Sequence, residues 1–139
     1  MHRFTLRVRY ADTDQMGMAY YGHYLRWFEI GRAEMMRSLG HSYRAIEADG
    51  IRLPVVEARC HYLKPARYDD TIAIETGVRA LGRATVRFGY RIVNATSGEL
   101  LAVGSTEHCF LGPDDRPVRA PQAVAELLAR APRAEEGAT

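Results

Sequence analysis

Residues 4–40, FTLRVRYADTDQMGMAYYGHYLRWFEIGRAEMMRSLG, change their apolar period once, and that change decides the fold. Phe4, Leu6, Val8 and Tyr10 alternate with Thr5, Arg7 and Arg9, the pattern of a half-buried strand over residues 4–10. The strand breaks at Ala11-Asp12-Thr13-Asp14-Gln15-Met16-Gly17, where two Asp and a Gly favour side-chain-to-backbone bonds and a turn. Over residues 22–39 the spacing becomes helical, through Tyr21, Tyr24, Leu25, Phe28, Met35, Met36 and Leu39, and Gly40 is suited to a left-handed cap. Trp27 and Ile30 widen the apolar face, so the helix is expected to be covered on more than one side. Gly31 inside it costs about 1 kcal/mol relative to Ala, which predicts that something packs against the backbone there.

Downstream, Ser42 is a candidate cap for a shorter helix ending near Gly50. Strand signals then recur. Val56, Ala58, Cys60 and Tyr62 alternate with Glu57, Arg59 and His61; Ile72, Ile74 and Val78 follow; and Val86, Phe88, Tyr90 and Ile92 alternate with Arg87, Gly89 and Arg91. Asn94-Ala95-Thr96-Ser97-Gly98 reads as a turn into a fifth strand over residues 100–111, stopped by Gly112-Pro113-Asp114-Asp115. Pro121 opens a short helix with Val124, Leu127 and Leu128 on one side, and residues 133–139 read as a tail. Strands that run consecutively after a helical block predict an α+β fold with a mostly antiparallel sheet. The expected organisation is one domain, residues 1–132. One face of the sheet would take the long helix, and the other would meet solvent or a second subunit.

A chain of 139 residues fits one domain, and 47% hydrophobic with 26% charged residues is ordinary for a globular protein. A net charge of +2 gives no basic stripe, so nucleic acid is not an expected partner. Cys60 and Cys109 follow no C-x-x-C spacing, and the N-terminus carries no apolar targeting stretch, which reads as a reduced, cytoplasmic protein. The longest aliphatic run, residues 100–103, is far short of the roughly 18 needed for a membrane span.

The chain has no G-x-x-x-x-G-K-[ST], G-x-G-x-x-G, G-x-S-x-G or H-E-x-x-H motif. Cys60-His61 and His108-Cys109 are adjacent residues on strands and point to opposite faces, so neither pair closes on one metal ion. Asp12-Thr13-Asp14-Gln15-Met16-Gly17 begins like a calcium loop, but Met16 and His23 stand where oxygen ligands belong. What remains is a carboxylate-bearing loop that feeds a helix start. The first N–H groups of a helix lack internal partners and can hold a carbonyl oxygen as it becomes an oxyanion. A carboxylate a few residues upstream can activate water or attack that carbonyl. Alone, such an Asp is more often a turn or cap residue.

Val8-Arg9-Tyr10-Ala11-Asp12-Thr13-Asp14-Gln15-Met16-Gly17-Met18-Ala19-Tyr20-Tyr21-Gly22-His23-Tyr24, continued by Trp27-Phe28-Glu29 and Arg32-Ala33-Glu34, resembles the signature of the 4-hydroxybenzoyl-CoA thioesterase family, nearest its YbgC-like acyl-CoA thioesterases. Val55-Val56-Glu57 and Lys64-Pro65-Ala66-Arg67-Tyr68-Asp69-Asp70 extend the resemblance over almost the whole chain. It implies the hotdog fold, a five-stranded antiparallel sheet wrapped around one long helix. It also implies a homo-oligomer, a dimer or a tetrameric dimer of dimers, with active sites between subunits and no cofactor or metal. Asp14 matches the catalytic carboxylate, whereas Asp12 reads as structural. Tyr21 matches the position whose backbone N–H polarises the thioester carbonyl, with Gly22 beside it, and Tyr10 matches a supporting tyrosine. The chain departs from the family in having Tyr21 where YbgC-like members often have His, and His23 where Asn is common. His23 could tune Asp14, position water or simply cap the helix.

The expected reaction is hydrolysis of an acyl-CoA to a carboxylic acid and free CoA. Two alternatives stand beside it. An acyl-carrier-protein thioesterase would need a basic docking surface, for which Arg59, Lys64, Arg67 and Arg79 are candidates that could equally hold CoA phosphates. A non-catalytic acyl-CoA-binding module would have no use for Asp14 beside an intact helix start.

Overall fold

A computed structural model describes residues 1–40, 43–48 and 50–134. The elements run β1 (His2–Arg7), α1 (His23–Ser38), α2 (Tyr43–Ala48), β2 (Val55–Tyr62), β3 (Thr71–Leu81), β4 (Thr85–Asn94), β5 (Leu100–Cys109) and α3 (Gln122–Arg130). The five strands form one antiparallel sheet in the order β1-β3-β4-β5-β2. The expected α+β hotdog architecture is therefore present, with α1 laid across one face of the sheet. Ser42, the expected cap of α2, lies outside the described residues.

The fit between helix and sheet follows from residue size. Phe28 stacks on Tyr90 of β4 with centroids 4.4 Å apart and planes 7° from parallel. Gly104 on β5 leaves room for that ring, because a Cβ there would come within 2.4 Å of Phe28. Gly31 explains its own cost in the helix: a Cβ would lie 2.5 Å from both Ile74 and Thr76 of β3. Trp27, Met35 and Met36 are buried with them, and each such side chain contributes about 1.5–3 kcal/mol of apolar burial. Gly40, at φ +86°, reverses the chain after α1 as expected. Gly98, at φ +79°, does the same in the β4–β5 turn, where the Asn94 side chain accepts from the N–H groups of Thr96 and Ser97.

A polar chain threads the core under α1. Arg32 reaches the Tyr90 hydroxyl at 3.4 Å, Tyr90 bonds Thr106, Thr106 meets His108 Nε2 at 2.8 Å, and His108 Nδ1 meets the Leu53 carbonyl at 3.0 Å. Burial pushes the His108 pKa down to about 4, so the ring is neutral in the folded protein at neutral pH.

Three expectations need correction. The first strand ends at Arg7 instead of Tyr10, because the Asp12 carboxylate accepts from the Arg9 N–H and draws residues 10–12 into a 3-10 turn; Tyr10 is left 78% exposed. β2 is not half-buried. It is the sheet's edge, and apart from Cys60 all its residues are exposed, Val55 by 47% and Val56 by 55%. The sheet face away from α1 is not wholly open either. Pro132 accepts from the Val78 N–H, and Ala134 donates to the Val78 carbonyl. Ala134 sits against Gly77 and Gly89, where any Cβ would clash with the crossing backbone or its side chain. The stretch expected to trail off from Arg133 is thus held on the sheet through Ala134.

Candidate active site

The loop from Arg9 to Gly22 folds on its two carboxylates, which do different things. Asp12 is buried, and Arg9 grips both its oxygens, Nη2 on Oδ1 and the backbone N–H on Oδ2, each at 2.9 Å. Burial alone would raise the Asp12 pKa, but the hydrogen bonds and charge of Arg9 outweigh it, with a smaller pull from His23, and hold it below the ordinary value. Asp12 is a structural staple for the turn.

Asp14 is half-buried. Its N–H donates to Met18 O at 2.8 Å and its carbonyl accepts from Gly17, whose φ of +76° closes the turn. Carboxylate Oδ1 accepts from the N–H groups of Met16 at 2.8 Å and Met18 at 3.4 Å. These bonds fix the carboxylate at the wall of a cavity of about 270 Å³, lined also by Met16, Met18, Tyr21, Tyr24, Tyr62 and the Leu63-Lys64-Pro65 segment. The loop is tied to that segment through Ala19 N–H on Ala66 O at 2.8 Å and a bridge between Met18 and Arg67.

The start of α1 meets the same cavity. Gly22 caps the helix; a Cβ there would lie 2.8 Å from the Tyr20 ring, which packs against the turn. His23 N–H donates to Tyr20 O at 2.9 Å and Tyr24 N–H to Tyr21 O at 3.3 Å. Among the described residues no acceptor takes the N–H of Tyr21 or of Gly22. The Tyr62 hydroxyl donates to Tyr21 O at 2.8 Å. Burial first, then the neighbouring Cys60, raises the Tyr62 phenol above its ordinary pKa, so it stays a donor.

Of the residues singled out in the sequence, Asp14 and Tyr21 line one cavity, and Gly22 shapes the turn between them. His23 packs edge-on against Tyr20, its ring centroid 6.0 Å away, and its charge acts on Asp12. Tyr10 does not line this cavity; its ring meets Tyr68, with centroids 5.9 Å apart. The four basic candidates are dispersed. Lys64 borders the cavity and pairs with Glu99 at 3.2 Å, while Arg59 on β2 pairs with Glu57 at 3.0 Å. Arg67 sits on the loop bridged to Met18, and Arg79 lies over Gly89 on the far face of the sheet. Among the described residues no three His, Cys, Asp or Glu side chains gather as a metal site would require. Sequence reasoning missed Tyr62 and Tyr24 as members of the site. Their aromatic period marked a strand and a helix face, and only the fold brings position 62 to position 21.

A fixed carboxylate, unpartnered N–H donors and an apolar cavity together suit addition of a nucleophile to a carbonyl. The family described as the thioesterase-like superfamily matches residues 8–128. A Bacillus subtilis protein named provisionally as the acyl-CoA thioesterase YneP is 37% identical over 103 residues, 74% of each chain. The acyl-CoA thioester hydrolase YbgC of Escherichia coli O157:H7 is 35% identical over 95 residues, 68% of this chain and 71% of its own. A crystal structure of a DHNA-CoA thioesterase from Staphylococcus aureus superposes with a TM-score of 0.87 at 32% identity, covering 92% of this chain and 88% of that one.

Proposed function

Because the chain belongs to the thioesterase-like superfamily, we propose that it hydrolyses an acyl-CoA thioester to a carboxylic acid and free CoA. The observation that carries this reading is the meeting of Asp14 and the helix start of α1 on one cavity, with the Tyr21 N–H free to donate to a carbonyl oxygen. Asp14 acts as nucleophile or general base. As a base it takes a proton from water, whose oxygen adds to the thioester carbon; the C–S bond breaks and the thiolate leaves with the proton. As a nucleophile its own oxygen adds, CoA leaves, and water then cleaves the mixed anhydride. Either way negative charge develops on the carbonyl oxygen, and the Tyr21 N–H, assisted by that of Gly22, stabilises it. The positive end of the α1 dipole acts in the same direction.

The reading includes a homodimer, or a dimer of such dimers, formed through the β2 edge. That edge exposes Val55 and Val56, and a cavity of about 720 Å³ between α1 and β2 opens beside it. A second subunit there would complete the acyl pocket. The cytoplasm is the proposed location, with Cys60 and Cys109 as thiols. The dispersed placement of Arg59, Lys64, Arg67 and Arg79 favours CoA over an acyl-carrier protein, which would need one continuous basic surface.

Thiol release from a panel of acyl-CoAs and matched carrier-protein thioesters tests the proposal. Turnover faster on CoA esters is expected; a purified, folded protein that releases no thiol from any of them would refute it, and faster carrier-protein turnover would reassign the substrate.

A further inference from the structure

Tyr62 ends β2 and lies 41 positions from the residue it holds, with its hydroxyl 2.8 Å from the Tyr21 carbonyl oxygen. That oxygen belongs to the peptide unit whose N–H is Gly22's, so whatever grips it also sets where the Gly22 N–H points. The preceding peptide unit, which carries the Tyr21 N–H, is held through its own carbonyl by His23 N–H at 2.9 Å. The Tyr21–Gly22 unit has only a longer helical bond, from Tyr24 N–H at 3.3 Å, and needs the phenol for comparable restraint. Tyr62 is itself braced, with its ring edge-on to Tyr24 at 4.9 Å and to Tyr21 at 6.5 Å. It also lines the cavity beside Asp14.

We propose that Tyr62 is a positioning residue for the oxyanion site: its hydroxyl clamps the Tyr21–Gly22 peptide so that the Gly22 N–H becomes a second donor beside that of Tyr21. A bond donated to a carbonyl also polarises its peptide and strengthens the N–H at the other end. This places a fixed donor pair at the helix start, with Tyr62 acting through the peptide. The inference rests on the thioesterase reading above and adds the residue that holds its second donor.

The test is Tyr62→Phe, which keeps the ring and removes the clamping hydroxyl. kcat/KM is expected to fall about tenfold, the size of loss expected for one weakened oxyanion donor. Two non-hydrolysable ligands supply a readout that loose packing would not move. A carba analogue keeps the carbonyl and replaces the sulfur by methylene; a thioether analogue has methylene in place of the carbonyl. Tyr62→Phe should weaken the carba analogue about tenfold and leave the thioether unchanged. Leu63→Ala, which alters the same cavity without touching the clamp, should weaken both alike. Wild-type kcat/KM in Tyr62→Phe, or equal weakening of both analogues, would overturn the clamp while leaving the hydrolase reading intact. A wild-type protein inactive on every thioester would overturn both.

Discussion

Two polar assemblies sit along α1, one under its middle and one at its start, and their difference separates stability from chemistry. Under the middle of α1, the buried side chains of Arg32, Tyr90, Thr106 and His108 and the Leu53 carbonyl are linked in series, each hydrogen-bonded to the next. At the start of α1 the linkage stops short. Asp12 is gripped on both oxygens, but Asp14 is held by one oxygen at a cavity that Tyr21 also lines, and among the described residues no acceptor takes the N–H of Tyr21 or Gly22. A closed polar chain in a low-dielectric interior fixes one packing; an open one at a cavity leaves groups free to act on a ligand. Changes in the first should therefore move melting and spare turnover, and changes in the second should do the reverse.

The largest expected effect is at the open end. Asp14→Ala should lower kcat by about a thousandfold, the range of a lost positioned base or nucleophile, with the melting temperature nearly unchanged in a thermal scan. Next comes the response of the closed chain to acid. His108 has a pKa of about 4 in the folded protein against 6.5 for a free imidazole. Between those values the unfolded chain binds a proton that the folded one does not, so stability falls as pH drops from about 6.5 to about 4, by up to roughly 3 kcal/mol. Urea titrations across that interval should show the loss, and His108→Gln should flatten it. Thr106→Val should destabilise by about 2 kcal/mol, because it leaves the Tyr90 hydroxyl and His108 Nε2 without their shared partner; kcat should stay within twofold. Smallest of all, Tyr21→Phe should leave kcat within about twofold, since the exposed Tyr21 side chain is not the part that acts. A large loss there would move the function of position 21 from backbone to phenol.

Much of the closed assembly's setting was legible in the sequence. The alternation of Phe4, Leu6 and Val8, the helical spacing from Tyr24 to Met36 and the costly Gly31 each report a local period or a local exception to it. All three appear in the fold, as β1 and its continuation, as α1, and as the contact of Gly31 with Ile74 and Thr76. The period misled where a side chain outcompeted the ladder. Tyr10 continues the alternation, yet the Arg9–Asp12 bonds turn the chain before it can pair. β2 reads as half-buried because alternation records what a strand can cover, yet at the sheet edge the described residues leave it exposed. The meeting of Asp14 and Tyr21 at one cavity was legible through family resemblance and helix-end physics together. Tyr62 was not, since no short-range signal relates β2 to a carbonyl 41 residues earlier.

Hydrolysis by this site requires a thioester carbonyl at the start of α1. A crystal structure of the protein with the carba analogue should place the carbonyl oxygen about 2.7–3.1 Å from the Tyr21 nitrogen, with the Asp14 carboxylate on the side of the carbonyl carbon from which it or a held water can attack. A carbonyl bound away from the Tyr21 nitrogen, with Asp14 on no line of attack, would contradict it.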